Sequence, residues 1–189
     1  MTDSFENKPC SVCVGTGKVR TRTKSGNARR SRNKGNSSEL DIAKQIAEAI
    51  SVPYTECRRT PNSGALIERG DLRLSNRALE RFPYFVEVKN RSSWDFWQLF
   101  GPKGLEGWEP YQWYKEAEGK ASSDAANGFG DGVVYTTLLV LMQNHRPTLC
   151  MTFLGEYLQG ELMDIQPILK VDDFSIVRFK DLLAKYKVA

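Results

Sequence analysis

The longest apolar run, residues 133–142 (VVYTTLLVLM), does most to limit what this chain can fold into. It is about half of what a membrane-spanning helix needs, and its β-branched start reads as a buried strand. A second strand is expected at 148–153, past a turn holding the one histidine, His145. Upstream, Ser37 or Ser38 is placed to cap a helix over 39–50. Its apolar stripe is Leu40, Ile42, Ala43, Ile46, Ala47 and Ile50, with acids in the first turn where the dipole favours them, and Pro53 ends it. Further strands are expected at 54–60, 70–74 and 83–89, a helix at 111–121 behind Pro110, and a last helix at 179–186. The order α-β-β-β-α-β-β-α is that of an α/β sandwich around a mixed sheet.

Charge divides the chain unevenly. Residues 1–38 carry nine Lys and Arg, Arg29, Arg30 and Arg32 among them, against Asp3 and Glu6. The local charge is +7 in a chain of net +4, which leaves a mildly acidic body. Residues 24–38 (KSGNARRSRNKGNSS) have almost nothing apolar to bury, so 1–37 reads as a flexible basic arm and 38–189 as the folded domain. Such an arm fits contact with nucleic-acid backbone. The N-terminus is polar and lacks a signal peptide's apolar stretch, so a cytoplasmic setting, away from membranes, is the expectation.

The chemistry is concentrated in two places. Gly70-Asp71 stands where a strand begins, and residues 82–86 (FPYFV) lead directly into Glu87-Val88-Lys89. Side chains alternate along a strand, so Glu87 and Lys89 share a face, and a hairpin between 71 and 87 would bring Asp71 beside them. Two carboxylates can hold a hard divalent cation such as Mg²⁺ and leave positions for water and phosphate. The lysine can orient the attacking water. Two other acid-x-Lys triplets, Glu6-Asn7-Lys8 and Glu118-Gly119-Lys120, lack this strand context.

Other features are less specific. Cys10-Ser11-Val12-Cys13 with Gly15 and Gly17 is half of a zinc knuckle. Zn²⁺ there would need Cys57, Cys150, His145 or a partner subunit to complete four ligands; the alternative is reduced thiols. Trp94, Trp97, Trp108 and Trp113, mixed with Phe96, Phe100, Tyr111 and Tyr114, either pack a helix on the sheet, stack on unpaired bases, or line a dimer interface. Gly128-Phe129-Gly130-Asp131-Gly132 precedes a strand rather than a helix, so it is no dinucleotide fingerprint.

Over residues 38–153 these motifs resemble the PD-(D/E)XK nuclease superfamily, and within it archaeal and phage Holliday-junction resolvases. The resemblance rests on Glu39 in the first helix, Arg58-Arg59 ahead of Ser63-Gly64, Gly70-Asp71, Glu87-Val88-Lys89, and Gln112 and Lys115 on the later helix. It implies a restriction-endonuclease-like mixed sheet flanked by helices. Glu39, Asp71 and Glu87 would bind Mg²⁺, with Mn²⁺ as substitute. Lys89 would position the water and Gln112 support it. Arg58, Arg59, Ser63 and Lys115 would meet DNA; Arg58 and Arg59 alternate faces, so at most one looks at the site. The implied activity is metal-dependent cutting of branched DNA by a homodimer in a phage- or prokaryote-type cell. The alternatives are a flap, single-strand or sequence-specific nuclease, or a non-catalytic recombination protein. Gly70 stands where the family usually has proline, and the tryptophan-bearing segment after Lys89 is longer than usual.

Overall fold

A 26-residue helix, α1 (Lys24–Ala49), opens the body of the protein, and five of its side chains, Ile42, Ala43, Ile46, Ala47 and Ala49, are core. The computed structural model describes residues 5–9, 18–22, 24–61, 70–92, 94–126, 135–153, 165–171 and 173–187. Two compact units divide it, Met1–Ser37 and Ser38–Ala189. The first contains the antiparallel pair β1 (Phe5–Pro9) and β2 (Lys18–Arg22). Cys10 and Cys13 lie outside the described residues.

Helix α1 corrects two expectations. Residues 24–37 are helical, although glycines, asparagines and serines make them poor formers. Propagating an existing helix costs far less than nucleating one, and the strongly apolar stripe further on supplies the nucleus. Ser38 is therefore no N-cap. It is buried inside the helix and accepts a 2.6 Å hydrogen bond from Asn90 Nδ2. Leu40, expected in the stripe, is 38% exposed. The helix ends before Pro53 is reached: Val52 N–H donates to Ala47 O and Ser51 N–H to Glu48 O, with Ser51 at φ 51. That is a Schellman ending with serine where glycine is usual.

In the second unit, β3 (Cys57–Arg59) and β4 (Leu72–Leu74) form a small antiparallel pair. Residues 54–56, expected in the strand, are a 3₁₀ turn. Helix α2 (Asn76–Arg81) follows, capped by Ser75 Oγ, which accepts from Ala78 N–H at 3.1 Å. The strands at Asp71 and Glu87 are thus no hairpin, because α2 separates them and β4 pairs with β3.

The main sheet holds β5 (Tyr84–Arg91), β6 (Thr136–Gln143), β7 (Leu149–Phe153), β8 (Leu169–Val171) and β9 (Phe174–Arg178) in the order β5-β6-β7-β9-β8. Among the described strands only β5 and β6 run parallel, joined through α3 (Glu109–Ala126) as a parallel pair requires. The β8–β9 hairpin was not anticipated; α4 (Phe179–Lys185) was. One face of the sheet, with Val86, Val88, Leu138 and Val140, packs on Ile42, Ile46 and Ile50 and on Leu182 of α4. The other, with Leu139, Leu141, Met151 and Ile176, packs on Trp108, Trp113 and Tyr114. The mixed sheet between helices is the expected restriction-endonuclease-like architecture. Strand β5 is an edge, and Glu87 and Lys89 lie on it.

Candidate active site

Glu87 is 2% exposed on the face of β5 turned toward α3. Removing a carboxylate from water costs several kcal/mol unless it is paired. Two ammonium groups do that at one oxygen: Lys89 Nζ at 2.9 Å and Lys120 Nζ at 2.7 Å, both donating to Glu87 Oε1. Burial alone would raise the Glu87 carboxyl, but the two lysines outweigh it and hold it below its ordinary value. The other oxygen, Oε2, is buried and has no hydrogen-bond partner among the described residues. An acceptor left unsatisfied in the interior is costly, so its survival points to something that binds there.

Asp71 approaches from the open edge of β5. Val88 N–H, pointing away from the sheet, donates to Asp71 Oδ2 at 2.8 Å. Burial and then the Glu87 charge push the Asp71 carboxyl up to about 6, although the Val88 hydrogen bond pulls the other way. Gly70 makes this approach possible. A Cβ on it would stand 2.6 Å from Val86 O and 3.0 Å from the Phe85 ring. Glycine is thus demanded by close passage along β5, and a proline would meet the same obstacle. Thr60 ties the junction down, its N–H donating to Asp71 O at 2.9 Å and its Oγ1 to Gly70 O at 2.8 Å.

Glu39 stands well inside α1, so its acid is not explained by the dipole of a helix start. Its Oε2 accepts from Arg59 Nε at 2.5 Å, and its charge adds to the upward push on Asp71. Among the described residues no three His, Cys, Asp or Glu side chains gather closely enough to hold a metal ion. The donor set that fits one is the pair Asp71 and Glu87. These are two hard carboxylates that repel each other, one with a buried oxygen lacking a partner, and a divalent cation would satisfy both conditions.

The later helix contributes differently from expectation. Gln112 Nε2 donates to Glu106 O at 2.5 Å and Lys115 pairs with Glu118, so their hydrogen bonds go elsewhere than to the acids. The residue that reaches the acids is Lys120, two turns beyond Gln112. It belongs to Glu118-Gly119-Lys120, a triplet without strand context. The sequence signal was its position beside Ala117 and Ala121 on the buried stripe of α3.

Arg58 and Arg59 do alternate. Arg59 faces Glu39, while Arg58 stands opposite Arg73 in the β3–β4 ladder. Both Arg58 and Arg73 line a cleft of about 480 Å³ that also touches Gly70, Tyr84, Phe85 and Ala121. Like charges directly opposite in a ladder are unfavourable, so this pair suits an anion laid across it. Ser63 lies outside the described residues. Cys57 and Cys150 are buried core thiols, and burial pushes both up, Cys57 to about 11.

A mixed sheet between helices, with an aspartate, a glutamate and a lysine gathered at its edge strand, defines the class: the PD-(D/E)XK nucleases. Within it the chain belongs to the phage endonucleases. Residues 30–188 match the family described as "Phage putative PDDEXK endonuclease". It is an endonuclease, a phosphodiester hydrolase acting on DNA, in a family that generally uses divalent metal ions such as Mg²⁺. No curated protein and no solved structure matches the chain. Among the described residues no helix is long and apolar enough to cross a membrane.

Proposed function

We propose that this protein is a Mg²⁺-dependent, structure-selective DNA endonuclease that resolves four-way junctions as a homodimer in the cytoplasm of a prokaryotic cell. The observation that carries the metal-dependent reading is Glu87: fully buried, doubly neutralised at Oε1 and without a partner at Oε2, beside Asp71. Asp71 and Glu87 would hold the ion. When bound, it supplies Lewis acidity to the phosphoryl oxygen and lowers the pKa of water.

The protein's own groups do the rest. Lys120 and Lys89 keep Glu87 ionised, and Val88 N–H fixes the direction of Asp71. The Lys89 side chain is partly exposed, and its ammonium can donate a further hydrogen bond to the attacking water. The water oxygen forms a bond to phosphorus, the bond to O3′ breaks, and the products are a 5′-phosphate and a 3′-hydroxyl. Arg58 and Arg73 would take neighbouring phosphates along the cleft. The exposed Arg29, Arg30 and Arg32 would add backbone contacts, so binding should weaken steeply with salt.

Selectivity for junctions is supported by the resolvase-like order of Glu39, Gly70-Asp71 and Glu87-Val88-Lys89. Two symmetric nicks need two active sites, which a twofold dimer supplies. The test is cleavage of a labelled four-way junction beside linear duplex, flap and single strand, in Mg²⁺ and in EDTA, for wild type and Asp71→Asn. Paired nicks in the junction alone, lost in EDTA and in the variant, are expected. Cleavage of another substrate with the same two losses would keep the metal-dependent site and discard the resolvase.

A further inference from the structure

Between β5 and α3 the chain makes a 3₁₀ turn, Phe96–Phe100, with two opposed faces. Leu99 is buried, and Phe96 packs on Trp94 and Trp108 with ring centroids 5.0 and 5.7 Å apart. Asp95 fixes the start of the turn: its Oδ1 accepts from Trp97 N–H and its O from Trp108 Nε1–H, both at 2.9 Å. In a 3₁₀ turn residues i and i+3 eclipse, so Trp97 and Phe100 project together on the outer face. They are 77% and 71% exposed, with centroids 6.0 Å apart, the most exposed large hydrophobics among the described residues. Of the four tryptophans, Trp108 and Trp113 are buried and Trp94 is part of the same packed cluster. Trp97 alone stands out in solvent.

We infer that Trp97 and Phe100 form a stacking platform for unpaired nucleobases, which selects DNA with open bases near the scissile phosphate. This rests on the nuclease reading of the site. The mount is anchored on the core while the two rings contribute almost nothing to it, so their exposure is not explained by packing. A second copy of the chain is a poorer occupant. Two aromatic side chains bury roughly 300–500 Å² at most, against the ~800 Å² per partner of a stable interface. A nucleobase offers a flat π-face of the right size, and stacking on exposed aromatics is a main source of single-strand affinity. Placement agrees. Trp97 follows Lys89 by eight residues, so it lies within about 28 Å of that lysine. That distance is about eight base-pair steps. A fully paired duplex has its base faces stacked and buried; a single strand, flap or junction centre does not.

The test uses the full-length protein in EDTA, where binding is separated from cutting. Anisotropy gives affinities for a single strand and a duplex, and 2-aminopurine in the single strand reports stacking. For Trp97→Ala the ratio of single-strand to duplex affinity should fall about tenfold, with loss of 2-aminopurine quenching. Trp97→Phe should recover most of it, and Phe100→Ala should lose less, its ring being smaller. An unchanged ratio overturns the inference, as does a Trp97→Ala protein that sediments as a monomer where wild type is a dimer. Cleavage by Glu87→Gln in Mg²⁺ is followed in parallel. If it persists, the site assignment fails on its own, and the binding ratio still decides the stacking.

Discussion

Asp71→Asn should stabilise the metal-free protein and abolish its response to Mg²⁺. The Asp71 carboxyl is raised from 3.8 to about 6, first by burial and then by Glu87. At ~1.4 kcal/mol per pH unit, this charge costs the native state roughly 3 kcal/mol above neutrality. The sign follows from proton counting. A raised carboxyl binds more protons folded than unfolded, so its contribution is intact below pH ~4 and is lost as pH rises through about 6. Asparagine carries no charge, and its side-chain oxygen can still accept from Val88 N–H. In EDTA the variant should therefore match wild type near pH 4 and exceed it by roughly 1–3 kcal/mol at pH 7.5, with the gap opening between them. Mg²⁺ at a hundred times its dissociation constant adds about 2.7 kcal/mol to wild type and little to the variant, closing the gap. Urea denaturation followed by tryptophan fluorescence measures both. A variant less stable than wild type in EDTA at pH 7.5 would refute the crowded-charge argument. Equal stabilisation of both proteins by Mg²⁺ would refute Asp71 as a ligand.

Lys120→Met removes one of the two cations on Glu87 Oε1. Cleavage should fall about 10- to 100-fold and the acid limb of its pH–rate profile should move upward, because Glu87 is held low partly by this lysine. Gly70→Ala places a methyl 2.6 Å from Val86 O, so the unfolding midpoint should drop by an amount worth roughly 2 kcal/mol or more, with Asp71 displaced and cleavage lost. Ser51→Gly relieves a left-handed serine at the end of α1 and should raise stability by about 0.5–1 kcal/mol in denaturant titration, with cleavage rates unaltered.

What was legible in the sequence was what a single element decides. Alternation along one strand put Glu87 and Lys89 on a common face, and the apolar run at 133–142 marked a central strand. What was hidden depends on how elements meet. Lys120 is a surface-type residue on an amphipathic helix until the roll of α3 against β5 is known. Gln112, the residue the resemblance selects on that helix, points to a local carbonyl. The helical extension to Lys24 was hidden for another reason: local propensity argued against it, and cooperativity with the apolar stripe overruled that argument. Gly70 was readable as a turn residue. Its stronger reason, a backbone passing at 2.6 Å from its absent Cβ, exists only in the fold.

Three local conflicts of the second unit lie around β5 and the separate β3–β4 pair. Asp71 and Glu87 repel each other, Glu87 Oε2 lacks a partner, and Arg58 opposes Arg73 across a ladder. Each is unfavourable in the free protein, and sequences that fold well avoid such conflicts unless something outside the chain resolves them. A divalent cation would resolve the first two and a phosphodiester the third. The signs are opposite and the locations adjacent: negative charge where the ion would sit, positive charge along the neighbouring cleft. Glu87 is paired with Lys89 and Lys120 and Glu39 with Arg59, but Asp71 has no ion pair among the described residues and Arg58 stands against another cation. Those two departures are the strongest physical argument that this region is arranged for a metal ion and a nucleic-acid backbone together.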